Sequence, residues 1–335
     1  MSLPFISVII IAHDNKEFLM EAAMSACDQS LRRENFEIIC VKNFTEELFD
    51  SELSKYTDVV INSQSRSYGG KARAALQAAR GYVICFLDYD DLFFKDKLRI
   101  VYETFKKNKD LVYFHNGRTS RLSEFVTTGS VLTMEPVKSH SIDLKEAHYR
   151  DLIRFFRNYP DFNSSSISVR KSILAGKETE IESMVMHPDT FLLFSALESD
   201  GMLLDSSMVL TFYRVHHSTT NHFTMSKATY FSAKTEYYGR TESDWSIIRS
   251  FLKKENSLRL CDCEAIHNSL LRKLYDLGTG RAELFCEVIK FVRCIRSRRF
   301  LNMLLLTMTS LLVFLCPLLG RYVYFAMSTR LVRQS

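Results

Sequence analysis

The chain opens on a continuous β-branched run, Phe5 to Ala12. Such a run predicts a strand buried on both faces of a parallel sheet. His13-Asp14-Asn15 ends it, and Asn15 is placed to cap a helix through about Gln29, with apolar Phe18, Leu19, Ala22, Ala23 and Ala26 at helical spacing. Phe36 to Val41 predicts a second strand, followed by Lys42-Asn43. A short helix, Glu46 to Lys55, and a third strand, Asp58 to Asn62, come next. Tyr68-Gly69-Gly70 reads as a flexible turn before an Ala-rich helix, Lys71 to Arg80, with Gly81 as its C-cap. A fourth apolar run, Tyr82 to Leu87, ends abruptly in Asp88, Asp90 and Asp91. This alternation of strands and helices predicts a doubly wound, mostly parallel α/β sheet flanked by helices.

Beyond the acidic turn, a helix is expected over Lys95 to Asn108 and a strand over Leu111 to His115. Phe125 to Pro136 reads as strand or hairpin, and Asp143 to Arg157 as an amphipathic helix. Phe162 to Val169 alternates like a half-exposed strand. A helix or turn from Ile173 leads to His187-Pro188-Asp189, then a strongly apolar helix, Thr190 to Glu198, and a last strand, Met208 to Val215. From about 228 to 299 the pattern is helical and basic. Leu301 to Leu319 then carries no charge, which is about the length a helix needs to cross hydrocarbon. Lys290, Arg293, Arg296, Arg298 and Arg299 precede it; Arg321, Arg330 and Arg333 follow. A buried core helix is the alternative, and Pro317 makes a helix lying in the membrane interface a third. The basic bias on the N-terminal side predicts a cytoplasmic body.

Composition narrows the picture little. The chain has 335 residues, 46% hydrophobic and 25% charged, with a formal net charge of +5. That is ordinary for a globular protein, and no basic patch with interleaved aromatics points to nucleic acid. Eight cysteines are scattered, only Cys261 and Cys263 being close, which is poor evidence for zinc or a disulfide framework and suggests a reducing compartment. No basic region or cleavage site follows Met1, so no secretory signal is expected.

The candidate chemistry sits where the fourth strand ends. Open α/β sheets bind ligands at the carboxyl ends of their strands. Clustered carboxylates there suit Mg²⁺ or Mn²⁺, and such an ion suits a diphosphate. A solvated acidic turn is the alternative.

Taken in order, these pieces resemble the family 2 glycosyltransferases, inverting nucleotide-sugar enzymes of the GT-A fold, over about Ile6 to Asn221. Ser7 to Ile10 with His13-Asp14-Asn15 resembles the family's opening strand and turn. Gly69 to Arg73 and Ala78 to Gly81 are similar to its Ala-Arg-Asn helix and its close. Phe86 to Asp91 is similar to its metal-binding aspartate motif, Ser166 to Ser172 to the segment before its acceptor region, Pro188-Asp189 to its Glu-Asp catalytic pair, and Tyr213 to His216 to its Tyr-Arg-x-His ending. The chain departs from the pattern at His13, at Lys42 and Asn43 (two aspartates are usual), at Ala74 and at Pro188. The resemblance implies a metal ligand in Asp90 and a ribose or metal contact in Asp88, with Asp91 in support. It also implies a general base in Asp189 and donor contacts from His13, Asn43, Arg73 and His216. The expected cofactor is Mn²⁺ or Mg²⁺, the expected donor a nucleotide sugar, and the expected acceptor a lipid-linked glycan, polyprenyl phosphate or surface polysaccharide. Residues 1–115 form the donor half, 116–222 the acceptor half, 223–299 a helical extension, and 300–325 a membrane-attaching helix. Two other readings stand beside this one: a sugar-binding scaffold on a degenerate transferase fold, and a nucleotidyltransferase. The latter normally needs a Gly-rich phosphate loop, and none follows the first strand.

Overall fold

The first strand, β1 (Ile6–Ile11), is buried at every residue. It pairs in parallel with β2 (Phe36–Lys42) on one side and β4 (Val83–Asp88) on the other, and β2 pairs in parallel with β3 (Val59–Asn62). A strand so enclosed tolerates few polar side chains. Ser7 is admitted because its hydroxyl donates to Glu37 Oε1 at 2.7 Å and accepts from the Gly81 N–H at 2.8 Å. The computed structural model describes residues 3–13, 16–120, 138–215 and 227–294. The chain divides into two compact units, Met1–Val215 and His216–Ser335.

Helix α1 (Leu19–Cys27) buries Leu19, Ala22, Ala23 and Ala26, the predicted face. It starts at an N-cap of Phe18, later than expected. Asn15, the expected cap, lies outside the described residues. Helix α2 spans Glu47–Leu53. Helix α3 (Tyr68–Ala78) corrects the expected turn: Gly69 and Gly70 form its first winding, and the Ser67 hydroxyl caps it by accepting from Gly70 N–H at 3.0 Å. A Cβ on Gly69 would lie 2.0 Å from the Ile181 carbonyl oxygen. The glycine therefore permits close backbone approach to a later helix. The C-cap is Ala79; Gly81 instead lies against β1, where a Cβ would stand 2.5 Å from Ser7 N.

The second half of the sheet is not parallel. Strand β8 (Ile167–Arg170) runs antiparallel to β4 and to β6 (Leu111–Thr119). Strand β6 is parallel to β9 (Met202–Phe212), and β9 pairs antiparallel with β5 (Leu92–Phe93) and β7 (Ser139–Asp143). The order is β3-β2-β1-β4-β8-β6-β9-β5, with β7 beside β9. The sheet is thus mixed rather than mostly parallel. The physical reason is where the chain enters β8. In the register Val83 faces Arg170 and Cys85 faces Ser168. The residues that precede β8 therefore stand beside the carboxyl end of β4.

Those residues are not a half-exposed strand. Ser164–Ser166 is a 3-10 turn, and Asn163 to Val169 are buried. Helix α4 spans Lys97–Lys107. The expected helix from Asp143 starts only at Tyr149 (α5, Tyr149–Phe156), because Ser139–Asp143 pairs as β7. Helices α6 (Glu178–Ser183) and α7 (Pro188–Leu197) follow, the latter with proline at its first turn as helix starts favour. Strand β9 begins at Met202, earlier than expected, and the stretch 125–136 lies outside the described residues.

In the second unit, α8 (Lys227–Phe251), α9 (Glu255–Tyr275) and α10 (Arg281–Arg293) realise the expected helical extension. Leu270, Leu274, Leu284, Val288 and Phe291 pack together between α9 and α10. The uncharged stretch 301–319 lies outside the described residues. Among the described residues no helix is long and apolar enough to cross a membrane.

Candidate active site

Asp88 is the last residue of β4, and the Asp91 N–H donates back to its carbonyl at 3.1 Å, closing a tight acidic turn. The segment entering β8 holds this turn. The Asp88 N–H donates to Ser165 Oγ at 2.9 Å, and Ser164 Oγ donates to Asp88 Oδ2 at 2.6 Å. Asn163 Nδ2 donates to Asp91 Oδ2 at 2.9 Å, and the Arg214 N–H donates to Asp91 Oδ1 at 3.0 Å. Both oxygens of Asp91 are therefore committed inside the protein, and its side chain is 1% exposed. Arg214 also donates from Nε to the Asp90 carbonyl at 2.9 Å and from Nη2 to Glu21 Oε2 at 2.6 Å, with its guanidinium over the Phe18 ring. Asp91 thus buttresses the turn, while Asp88 and Asp90 form its partly exposed rim.

The charges are crowded. Burial, then repulsion from Asp91 and Asp90, pushes the Asp88 carboxyl well above the usual carboxylate range. Burial also lifts Asp91 to about 6, against hydrogen bonds from Ser165, the Arg214 N–H and Asn163. A divalent cation would relieve that repulsion, and hard carboxylate oxygens are the donors it takes. Among the described residues no group of three or more His, Cys, Asp or Glu side chains is arranged to hold a metal. Carboxylate oxygens such as those of the rim, Asp88 and Asp90, are the donor type of sites in which one or two carboxylates share an ion with phosphate oxygens and water.

Asp189 is the second residue of α7. Its Oδ1 accepts from the Thr190 N–H at 2.9 Å and its Oδ2 from the Asn163 N–H at 3.3 Å. Burial, then the neighbouring Asp161, lifts its carboxyl to about 7. A carboxylate poised near neutrality can take a proton from a substrate hydroxyl. Tyr68, at the start of α3, joins the same group. Its phenol is pushed well above the usual range by burial and by Asp88, and it hydrogen-bonds Ser164.

A layer beneath supports the segment 158–166. His115 places Nδ1 2.7 Å from Asp205 Oδ1 and Nε2 3.2 Å from the Phe162 carbonyl. Both neighbours are acceptors, a carboxylate on one side of the ring and a backbone carbonyl on the other. Asn158 Nδ2 donates to Asp205 Oδ2 at 3.1 Å, and Tyr113 OH to the Pro160 carbonyl at 2.6 Å. Lys97, fully buried, donates to the Ser165 carbonyl, to Asn116 Oδ1 at 3.0 Å and to Thr211 Oγ1 at 3.0 Å. Burial pushes its ammonium down to about 7.

The other expected donor contacts divide. In the parallel register Ile11 pairs with both Val41 and Asp88, so His13 and Asn43 stand at the same sheet edge as the acids. His13 Nδ1 lies 2.8 Å from Lys71 Nζ. Lys42, one of the departures, is buried against Asp50 at 2.8 Å and Asn62 Oδ1 at 2.6 Å, so its charge is answered internally. Arg73 is ion-paired with Glu182 on α6. His216 lies outside the described residues. Sequence reasoning missed Asn163, Ser164, Ser165, Lys97 and the role of Arg214. The available signals were a cluster of small polar residues before an apolar strand, and an arginine within a motif noted for other reasons.

Comparisons with known proteins fit this architecture. Residues 7–172 match the family described as "Glycosyl transferase family 2". That span includes the acidic turn and the Asn163–Ser165 segment and ends before Asp189. The poly(ribitol-phosphate) beta-glucosyltransferase of Bacillus spizizenii is 27% identical over 111 residues, which is 31% of this chain and 18% of that protein. The chain thus covers less than a fifth of the length of that curated relative. Residues 1–349 of S. aureus TarS, solved in complex with UDP-GlcNAc, superpose with a TM-score of 0.51 at 14% identity, covering 87% of this chain and 89% of that one. The mannosyltransferase PcManGT from Pyrobaculum calidifontis, solved with GDP-Man and Mn²⁺, gives 0.50 at 10% identity, covering 94% and 88%. At these identities the two structures share a fold with this chain. Through residues 7–172, with their acidic turn at the end of β4, the chain belongs to glycosyl transferase family 2.

Proposed function

We propose that this protein is an inverting glycosyltransferase that moves a sugar from a nucleoside diphosphate to a hydroxyl of a poly(polyol phosphate)-type polymer. The observation that carries the reading is the pairing of an acidic rim, Asp88 and Asp90, with a second carboxylate, Asp189, near neutrality and tied to the same segment by Asn163. The acceptor class is taken from the poly(ribitol-phosphate) relative. The neighbouring structures hold UDP-GlcNAc and GDP-Man, which supports a nucleotide-sugar donor without choosing the base.

In the mechanism, Asp189 accepts the proton of the acceptor hydroxyl as that oxygen bonds to the anomeric carbon. The bond from that carbon to the diphosphate breaks on the opposite face, inverting the configuration. Asp88 and Asp90 would hold Mn²⁺ or Mg²⁺, which when bound supplies positive charge to the leaving diphosphate. Asp91 keeps the turn in place from behind. Asn43 offers its amide to the edge of the base, an uncharged contact where the family usually has an aspartate. His13, Arg73 and His216 are assigned to the donor side. The uncharged stretch 301–319 holds the enzyme at the bilayer beside a membrane-tethered acceptor.

The test is purified protein with UDP- and GDP-sugars and Mn²⁺, with and without polymer. Nucleoside diphosphate released faster with polymer is the expected result. Pyrophosphate would mean nucleotidyl transfer, and no product with any donor would mean a binding protein.

A further inference from the structure

We propose that Asn163 is the positioning residue that sets the donor-side acids against the base. The proposal rests on the role given above to Asp189. Three features of this one residue carry it. First, its two donors diverge: the side-chain Nδ2 reaches Asp91 Oδ2 at 2.9 Å, and the backbone N–H reaches Asp189 Oδ2 at 3.3 Å. Second, its φ is +71°, in the left-handed region that most side chains avoid and that asparagine visits more readily. Third, it is 7% exposed, and its Oδ1 is buried with no hydrogen-bond partner among the described residues.

Each feature alone has a structural explanation, but together they describe a joint. A turn needing only positive φ would be served by glycine, which pays no Cβ penalty. The amide earns its place by holding Asp91. An acceptor left buried and unsatisfied is normally selected against. The other polar atoms of the residue are committed, Nδ2 to the carboxylate of the acidic turn and the backbone N–H to the carboxylate at the head of α7. The conformation is held from both sides. The Phe162 carbonyl is fixed by His115, and the following serines are fixed by Asp88 and Lys97. Asn163 thereby links the turn carrying Asp88 and Asp90 to the base, so that the spacing between leaving group and incoming hydroxyl is set by one residue.

Two substitutions separate its parts. Asn163→Gly keeps the backbone donor and the positive φ but removes the amide. Asn163→Ala removes the same amide and also penalises the backbone conformation. The difference between them therefore reads the backbone conformation that carries the arm to Asp189. The expected result for Asn163→Gly is a KM raised about tenfold, a correspondingly weaker titration of Mn²⁺ in the presence of UDP or GDP, and kcat within a few-fold of wild type. Asn163→Ala should match it in Mn²⁺ and nucleotide affinity but lose a further factor of up to roughly 10² in kcat, the scale on which small misplacements act. Equal kcat in the two variants would overturn the arm to Asp189. Wild-type KM, kcat and Mn²⁺ affinity in both, with only a lowered melting temperature, would make Asn163 merely structural. Asp189→Asn is the control. If that variant stays active, the base assignment falls and takes the joint with it. If it is inactive while both Asn163 variants behave as wild type, only the joint falls.

Discussion

Asp90 and Asp91 are adjacent carboxylates with opposite structural standing. The turn uses the carbonyl of Asp90, which accepts from Arg214, and leaves its side chain at the rim. Asp91 has its side chain inside, accepting from Asn163 and from the Arg214 N–H. Asp90→Asn is therefore expected to abolish transfer with an unchanged melting temperature. Asp91→Ala should cost about 1–3 kcal/mol of stability, since it leaves two buried donors without an acceptor. Calorimetry and a turnover assay on the two variants, with an EDTA control, check both. Asp189 and Lys97 are each brought near neutrality by burial, from opposite directions. For Asp189 the base must be ionised, so the rate should rise as pH passes about 7. Asp189→Asn should lose on the order of 10²–10⁴-fold in rate, and that limb of the profile with it. The Lys97 ammonium has its folded value below its unfolded one, so the unfolded chain binds more protons between about 7 and 10.5. Its contribution to stability therefore rises with pH across that window and is lost as pH falls through about 7. Unfolding free energies at pH 7, 8 and 9 should show this slope, and Lys97→Met should flatten it.

At the scale of elements, β1, β2, β3, β4 and the helices among them were legible because each obeys one clear periodicity against one kind of neighbour. The segment before β8 was not. Serines that face water and serines that face buried carboxylates alternate with apolar residues in the same way, and only the partner strand tells them apart. The antiparallel direction of β8 was equally hidden, since it depends on which end of the sheet the chain approaches. The glycines of α3 misled for a related reason: Gly-Gly signals a turn by default, but here Gly69 serves contact with α6 and Gly70 lies against Ser65. Gly69→Ala is expected to destabilise by about 1–3 kcal/mol, the usual range for overpacking. Its Cβ would meet the backbone oxygens of Ile181, Glu182 and Met184 rather than a side chain that can swing away. Thermal melts of this variant check it, with Gly280→Ala, where a Cβ meets nothing within 4 Å, as the reference.

For the whole molecule, the acidic motif of the site was legible as chemistry, and its supporting shell was not. Asp88, Asp90 and Asp189 carry the recognisable motifs. Asn163, Ser165 and Lys97 act through geometry that exists only in the folded chain. The stretch 301–319 sets the remaining prediction. Its lack of charge and its basic flanks lead to full-length protein that stays with membranes through carbonate extraction. A chain truncated after about Arg296 should be soluble and still release nucleoside diphosphate slowly. Extraction of the full-length chain by carbonate would show that the stretch does not span.

The run of β8 against β4 has an outcome for how activity can be lost. A strand that slips by one residue turns every side chain to the opposite face. In this sheet such a slip would release Asp88 from both serines and carry Asn163 away from Asp91 and Asp189 at the same moment. Copies in that register would lose the contacts of the acidic turn and of the base together. A preparation holding such copies would bind less than one donor per chain, and counting sites with a tight ligand would reveal the proportion.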